Sequence, residues 1–95
     1  MRITDIIWKE RIVAKLADKH AVTVDEVESV LLSGPVVRRV RKGRVRGEDV
    51  YAALAQIHSG RYLIVFFIYK RIGIALPISA RNMNDTERKY YEKHK

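Results

Sequence analysis

The longest apolar run of the chain, from Tyr62 to Tyr69, constrains the fold more than any other feature. It is rich in β-branched and aromatic residues, which favour strands. A strand that is apolar at nearly every position is buried on both sides, so other elements must cover both faces of its sheet. The run is far shorter than the roughly 20 residues that a membrane helix requires, so no contact with a membrane is expected.

Helical patterns precede this strand. Apolar residues four apart predict an amphipathic helix from Lys9 to Lys19, after a short apolar stretch at 3–8 that is either a strand or a strap on the core. Thr23 and Glu26 form a T-x-x-E capping box that begins a second helix. Residues 33–35 (Ser-Gly-Pro) end it, because glycine permits the left-handed cap and proline cannot continue the helix.

The pattern after residue 35 is extended. A basic strand and turn are predicted at 36–47, followed by strands at 49–57, 61–69 and 72–80. In the last strand the alternation places one set of residues on one face (Ile72, Ile74, Leu76, Ile78) and a second set on the other (Gly73, Ala75, Pro77, Ser79, Arg81). Asn84 caps a final helix that runs toward Lys95. The expected fold is α+β: two N-terminal helices, a roughly four-stranded antiparallel sheet and a C-terminal helix in a single domain, 1–95.

The positive charge is unevenly distributed. The chain has 95 residues and a net charge of +8, but residues 1–34 carry five basic and six acidic side chains, a net of −1, and residues 35–95 carry the remaining +9. A polyanion such as nucleic acid is therefore the leading partner class. The densest part contains six positive side chains and no acid (Arg38, Arg39, Arg41, Lys42, Arg44, Arg46). These six are predicted to contact phosphates; the alternative is a solvated edge strand whose charges prevent association between sheets.

Several chemistries are excluded or disfavoured. The chain has no cysteine, so it has no disulfide, thiol nucleophile or cysteine-bound metal. His20, His58 and His94 lack any metal-ligand spacing, and motifs for nucleotide hydrolysis or serine-type acyl transfer are absent, so neither a metal nor a cofactor is expected. The N-terminal residues lack the apolar core of a signal peptide, which makes cytoplasmic residence the expectation.

Arg81 is the first candidate for chemistry, because an arginine at a strand end can clamp a phosphate through two donors. The equally weighted alternative is an ion pair with Asp85 or Glu87. Arg88 stands four residues before Glu92, so a helical ion pair is its alternative. Tyr91 is a candidate to stack on a base or to bond a phosphate. His20 or His58 is a candidate for proton transfer, against the more common role of a histidine in packing or capping.

Three segments together resemble a known family. They are Lys19-His20 with the helix start at 22–27 (VTVDEV), residues 60–65 (GRYLIV), and 78–81 (ISAR) with Glu87, Arg88 and Tyr91 downstream. These segments resemble the BrnT family of toxins, and the resemblance covers nearly the whole chain. It departs from the family at Lys9, Leu16 and Ala21, where members commonly have Asp, Asn and Gly.

The resemblance implies a RelE-like fold and a metal-independent endoribonuclease toxin that cleaves RNA and inhibits translation. It implies a cognate BrnA-type antitoxin as a partner, with operator DNA bound only through the antitoxin complex. The implied catalytic residues are Arg81, Arg88 and Tyr91 with His20 or Glu48, which lies in a Gly-Glu-Asp stretch similar to a strand start of the family. Lys19 and Arg61, from the matched segments, join the six basic residues in the expected RNA-binding set.

Two rival functions stay open. One is a non-catalytic module that binds nucleic acid or an acidic partner through residues 38–46. The other is a small subunit whose basic face contacts only an antitoxin.

Overall fold

The structure, a computed structural model, describes residues 1–44 and 46–95, and residue 71 by its backbone. The described residues form five strands: β1 (Asp5–Ile6), β2 (Val36–Arg41), β3 (Val50–Gln56), β4 (Tyr62–Arg71) and β5 (Ile74–Asn82). The helices are α1 (Glu10–Lys15), which continues into a π-helical turn at Leu16–His20, then α2 (Val24–Leu32) and α3 (Asp85–His94). The predicted α+β class is confirmed. Val45, which belongs to the predicted basic strand and turn, lies outside the described residues.

The sheet has the order β1-β5-β4-β3-β2. β2 to β5 form an antiparallel meander, as expected for strands joined by short turns. The prediction of a four-stranded antiparallel sheet is wrong at one edge, because β1 adds a fifth strand that pairs in parallel with β5, with Asp5 opposite Ile74. Two paired residues are too few to leave a periodic signal in the sequence. The open sheet is therefore mixed.

Helices cover both faces of the sheet. On the first, here called the α1–α2 face, α1 and α2 pack over side chains of the central strands, including Leu63, Val65 and Phe67, all fully buried. On the opposite face, called the α3 face, α3 packs over Leu54 and Ile64. The near-continuous apolar character of β4 follows directly, because its neighbouring residues are covered by different layers.

The predicted capping box at Thr23 and the predicted cap at Asn84 are both confirmed. The Thr23 hydroxyl accepts the Glu26 N–H at 3.1 Å, and the Glu26 carboxylate accepts the Thr23 N–H at 3.0 Å. Asn84 and Glu87 repeat this exchange at the start of α3, at 2.8 and 2.9 Å. Since each box satisfies backbone donors that have no partner inside the helix, the sequence sets both helix starts locally.

The predicted helix at 9–19 is present, but its end differs from an α-helix. Ile12 and Leu16 are buried as expected, yet the last five residues form a wider π-helical turn. The turn closes when the Ala21 N–H donates to the Leu16 carbonyl, and Ala21 adopts the left-handed conformation with φ 51°. A residue with a Cβ is strained in that region, which glycine normally occupies.

A bulge interrupts the alternation of β5. Phe67 pairs with Pro77 and Phe66 with Ser79, so Ile78 is the extra residue. The prediction that Ala75, Ser79 and Arg81 share one face is therefore wrong. Residues before the bulge keep the expected alternation, whereas Ser79 and Arg81 point to the α3 face. A similar shift at Val40 interrupts the predicted alternation of β2.

None of the helices in the described residues has the length and apolar character needed to cross a membrane.

Candidate nucleic-acid interface

Two rows of side chains cross the α3 face from β2 to β5. The backbone register sets them side by side: the first row is Val36, Leu54, Ile64 and Arg81, and the second is Arg38, Ala52, Phe66 and Ser79. The helix α3 packs against these rows through Tyr90 and Tyr91. Each row thus begins or ends in an arginine, one on β5 and one on β2, with apolar side chains between them.

Arg81 is bound end-on by Glu87. Its two terminal nitrogens donate to the two carboxylate oxygens, Nη1 to Oε1 at 2.7 Å and Nη2 to Oε2 at 2.9 Å, and Nη1 also donates to the Asn82 carbonyl at 3.1 Å. The sequence had left open an ion pair with Glu87, and this is the contact present. The guanidinium also lies 5.5 Å from the centre of the Phe66 ring.

Two N–H groups of Arg81 make no hydrogen bond within the described residues. A guanidinium has five N–H groups, and three are used by Glu87 and Asn82. The other two, on Nε and Nη2, form the side edge of the group and have no partner among the described residues. The side chain is 37% exposed. Arg81 is therefore held in one orientation and can still offer two parallel donors to an oxyanion.

The contact between Arg81 and Glu87 favours the ionised form of both side chains. Hydrogen bonding from Arg81, followed by the Asn84 N–H and the charge of Arg38, holds the pKa of Glu87 below its ordinary value, against the opposing effect of burial. The same pair raises the pKa of Arg81. Glu87 is thus ionised at neutral pH and is a poor proton acceptor there.

Arg88 lies over an aromatic ring. Its guanidinium carbon is 4.0 Å from the centre of the Tyr62 ring, a cation–π arrangement. The Tyr62 hydroxyl donates to Glu92 at 3.2 Å. The ion pair between Arg88 and Glu92 considered from the sequence is not formed; Glu92 pairs with Lys95 at 2.7 Å. No hydrogen bond within the described residues occupies the Arg88 guanidinium.

Arg38 repeats this arrangement on the other side of the face. Its guanidinium carbon is 5.0 Å from the centre of the Tyr90 ring, and its charge contributes to the lowered pKa of Glu87. Arg38 is exposed. Arg38, Arg81 and Arg88, called the arginine cluster below, thus share the α3 face, each beside an aromatic ring.

Tyr91 anchors α3 to the sheet. Its hydroxyl accepts the Gln56 N–H at 3.3 Å, and its ring meets Tyr62 edge-on at 6.1 Å between centres. The hydroxyl hydrogen has no acceptor among the described residues. Tyr91 therefore lies beside Tyr62, the ring that Arg88 covers, and its hydroxyl can still donate one hydrogen bond.

Two predicted catalytic residues lie elsewhere. His20 is on the α1–α2 side, where its carbonyl accepts a hydrogen bond from Arg61, whereas Arg81 is on the α3 face. Glu48, which lies two residues before the start of β3, pairs with Lys70 at 3.2 Å. Val50 is opposite Ile68 and Arg81 opposite Ile64, four residues and roughly 13 Å apart along β4. The five predicted catalytic residues are not brought together.

Arg61 has an internal role. It donates to Asn82 at 2.7 Å, to the Ala21 and His20 carbonyls at 2.8 and 3.2 Å, and to Glu26 at 3.1 Å. Its side chain is only 25% exposed. Arg61 thus ties the π-helical turn, α2 and β5 together. Lys19, also expected to bind RNA, is exposed on the π-helical turn.

The remaining basic residues follow the sheet edge. Arg39 pairs with Asp49 at 3.6 Å, and Asp49 also accepts the Gly43 N–H at 2.8 Å, which ties the turn to the start of β3. The other four cations are exposed (Arg41, Lys42, Arg44, Arg46). They form a positive edge on β2 and the following turn, separate from Arg81 and Arg88.

The sequence reasoning missed Tyr62 and Phe66 as partners of the arginines. Both lie at alternate positions of β4 and share a face with Ile64. That face was predictable from the period of the strand, but which helix covers it was not. No three side chains of His, Asp or Glu in the described residues converge as a metal site.

No protein-family model matches this chain, and no curated protein matches it either.

Proposed function

We propose that this protein is a metal-independent endoribonuclease toxin that binds RNA on the α3 face. The observation that carries the proposal is the arginine cluster, above all Arg81, which Glu87 fixes end-on while its side edge stays open. Guanidinium groups beside partly exposed aromatic rings are typical of RNA contacts, because the phosphates and the bases each find a partner.

The proposed reaction needs charge stabilisation more than any other help. In metal-independent cleavage the ribose 2′-oxygen attacks the adjacent phosphorus, the bond to the 5′-oxygen breaks, and a 2′,3′-cyclic phosphate and a 5′-hydroxyl result. Negative charge builds on the phosphate oxygens in between. In this proposal Arg81 and Arg88 stabilise that charge, and donors held in advance do so most effectively.

We assign proton transfer to Tyr91 and solvent, and not to His20 or Glu48. We leave both predicted residues out of the chemistry, because His20 lies on the α1–α2 side of the sheet and Glu48 lies far from Arg81 along β4. Tyr91 is our candidate to donate a proton or hydrogen bond to the leaving 5′-oxygen, since its hydroxyl hydrogen is unused. We assign the removal of the 2′-hydroxyl proton to solvent.

The positive edge around β2 supports a second part of the proposal. It offers four exposed cations for RNA or for an acidic surface of a BrnA-type antitoxin, through which operator DNA would also be bound. A toxin of this kind acts on RNA in the cytoplasm. The resemblance implies that this protein has a RelE-like fold.

Cleavage of a single-stranded RNA in the presence of EDTA tests the proposal. We expect the wild type to yield products with cyclic phosphate ends, Arg81→Ala and Arg88→Ala to lose at least 100-fold in rate, and Tyr91→Phe to lose less. Arg11→Ala, which removes an exposed arginine from the other side of the molecule, is the matched control. His20→Ala and Glu48→Ala should keep full activity. A wild type that leaves the RNA intact rejects the enzymatic proposal.

The second candidate is a non-catalytic RNA-binding module. Neither His20 nor Glu48, the two predicted proton-transfer residues, lies beside Arg81, and this favours the module. Such a module would bind RNA with an affinity that falls steeply with salt, and removal of one phosphate contact would reduce the slope by about one. Binding of this kind by an intact, non-cleaving wild type selects the module over the enzyme.

A further inference from the structure

We propose that the cleft between α3 and the sheet receives one unpaired nucleobase, so that the RNA must be single-stranded beside Arg81. This inference rests on the proposed RNA function and names its substrate class. The cleft has a volume of about 280 Å³. That is just below the usual range of roughly 300–1,000 Å³ for ligand pockets, and it suits one planar ring system better than an extended ligand or a helix.

The cleft exists because a small residue stands between two large ones. Ala52 is paired with Arg38 on one side and with Phe66 on the other, so the second row of the α3 face dips at its middle. Leu54 and Ile64 continue the apolar floor, and Tyr90 of α3 forms the wall. A leucine at position 52 would fill this hollow.

The lining fits a base flanked by phosphates. The half-buried ring of Phe66 offers an inserted base a surface to stack on. The ring of Tyr90 is already stacked on His94, with 4.1 Å between ring centres, and it forms the opposite wall of the cleft. Thr86 and Glu87 at the rim supply an oxygen acceptor or donor for the polar edge of the base.

Positive charge lies on both sides of the cleft. Arg81 is 5.5 Å from the Phe66 ring and Arg38 is 5.0 Å from the Tyr90 ring. A backbone whose base enters the cleft therefore passes phosphates close to these two arginines. An uncharged aromatic ligand would use the floor but not the cations, and a duplex would use the cations but could not insert a base. A single-stranded nucleotide uses both.

Fluorescence anisotropy with three labelled RNAs tests the inference at low ionic strength: a single-stranded oligonucleotide, its duplex, and an oligonucleotide of equal length without bases. Arg81→Ala is avoided so that the phosphate contacts stay intact. We expect the wild type to bind the single strand about 10-fold or more tighter than the other two, as stacking of one base implies. Ala52→Leu should lose this preference and retain the affinity for the baseless RNA.

The controls separate misfolding from loss of the cleft. Ala14→Leu makes the same change at an exposed site on α1 and should keep the preference. Phe66→Leu removes the ring but keeps an apolar side chain, and it should also reduce the preference if Ala52→Leu does not fold. Equal binding of all three RNAs by the wild type, or an unchanged preference in a folded Ala52→Leu, overturns the base site. Equal binding leaves the proposed function standing, whereas no binding of any RNA overturns the proposed function itself.

Discussion

Glu87 binds Arg81 through two parallel hydrogen bonds of 2.7 and 2.9 Å while the same carboxylate accepts the Asn84 N–H that begins α3. One side chain therefore joins the end of β5 to the start of the helix that covers it. The orientation of Arg81 and the position of α3 depend on the same contact. A change at Glu87 should accordingly affect both the candidate site and the packing of the helix.

Glu87→Gln should reduce RNA cleavage by about 10-fold or more and lower the free energy of unfolding by no more than about 1 kcal/mol. The stability effect is small because Arg81 is 37% exposed and solvent screens the pair. Single-turnover cleavage and urea unfolding measure the two effects. Asp85→Asn, an exposed acid in the same helical turn, is the control and should leave cleavage unchanged. Equal loss in both variants would show that net charge, and not the pairing, is what matters.

Acid should weaken the fold through Glu87 and Glu26. The pKa of Glu87 is lowered first by Arg81, and that of Glu26 first by the Thr23 N–H and then by Arg61. Because the folded state favours the ionised forms, their stabilisation is complete above the ordinary carboxyl pKa and is lost as the pH falls through the lowered values. Urea unfolding at about pH 6 and about pH 3 should show a smaller decrease in the double variant Glu26→Gln, Glu87→Gln than in the wild type. Parallel decreases would contradict this assignment.

Arg61→Ala should destabilise the protein by about 1–3 kcal/mol, because it removes hydrogen bonds to three elements and leaves Glu26 without its ion pair. Thermal or urea unfolding gives the value. The exposed Arg11→Ala should stay within about 0.5 kcal/mol of the wild type. An equally small effect at Arg61 would mean that its donors are free for a partner, as the sequence first suggested.

Ala21→Gly should stabilise the protein by roughly 0.5–1 kcal/mol. Ala21 has φ 51°, where its Cβ meets the following carbonyl, and glycine adopts this conformation without that penalty. Its carbonyl still accepts the hydrogen bond from Arg61. Ala17→Gly, at an exposed position in the preceding turn, should destabilise instead, so urea midpoints that move in the same direction for both variants would refute the strain.

Phe67→Ala should cost about 3–5 kcal/mol, because this fully buried ring lies on β4 at the centre of the sheet. Ile72→Ala, in the turn between β4 and β5, removes a side chain that is 95% exposed and should change little. Calorimetry measures both. Similar melting temperatures for the two variants would contradict the assigned core.

The sequence predicts the features that short-range physics decides. Thr23 and Asn84 begin their helices through contacts three residues away, and the apolar run at 62–69 fixes the central strand. The pairing of β1 with β5 depends on residues far apart in the chain, so the local pattern at 3–8 could not reveal it. The bulge at Ile78 likewise arises from the register with β4 and not from a residue type that forbids a regular strand.

In the candidate site, too, the contacts between residues close in sequence were predictable, and those between distant elements were not. An ion pair of Arg81 with Glu87 was foreseeable because the two residues are close in sequence. The contact of Arg88 with Tyr62 joins two elements, and it is present instead of the helical pair with Glu92 that the sequence offered as an alternative. The separation of His20 from Arg81 was not foreseeable either, because it depends on which face of the sheet each element covers.

The bulge at Ile78 makes the spacing of β5 part of the candidate site. If β5 were regular and kept all its residues, Ile78 would pair with Phe66, and every later residue of the strand would move by one position. Arg81 would then be opposite Leu63 instead of Ile64, and its side chain would lie on the α1–α2 face. Deletion of Ile78 changes the number of residues between the core of β5 and Arg81. No side-chain substitution alters that number, so the deletion tests it separately.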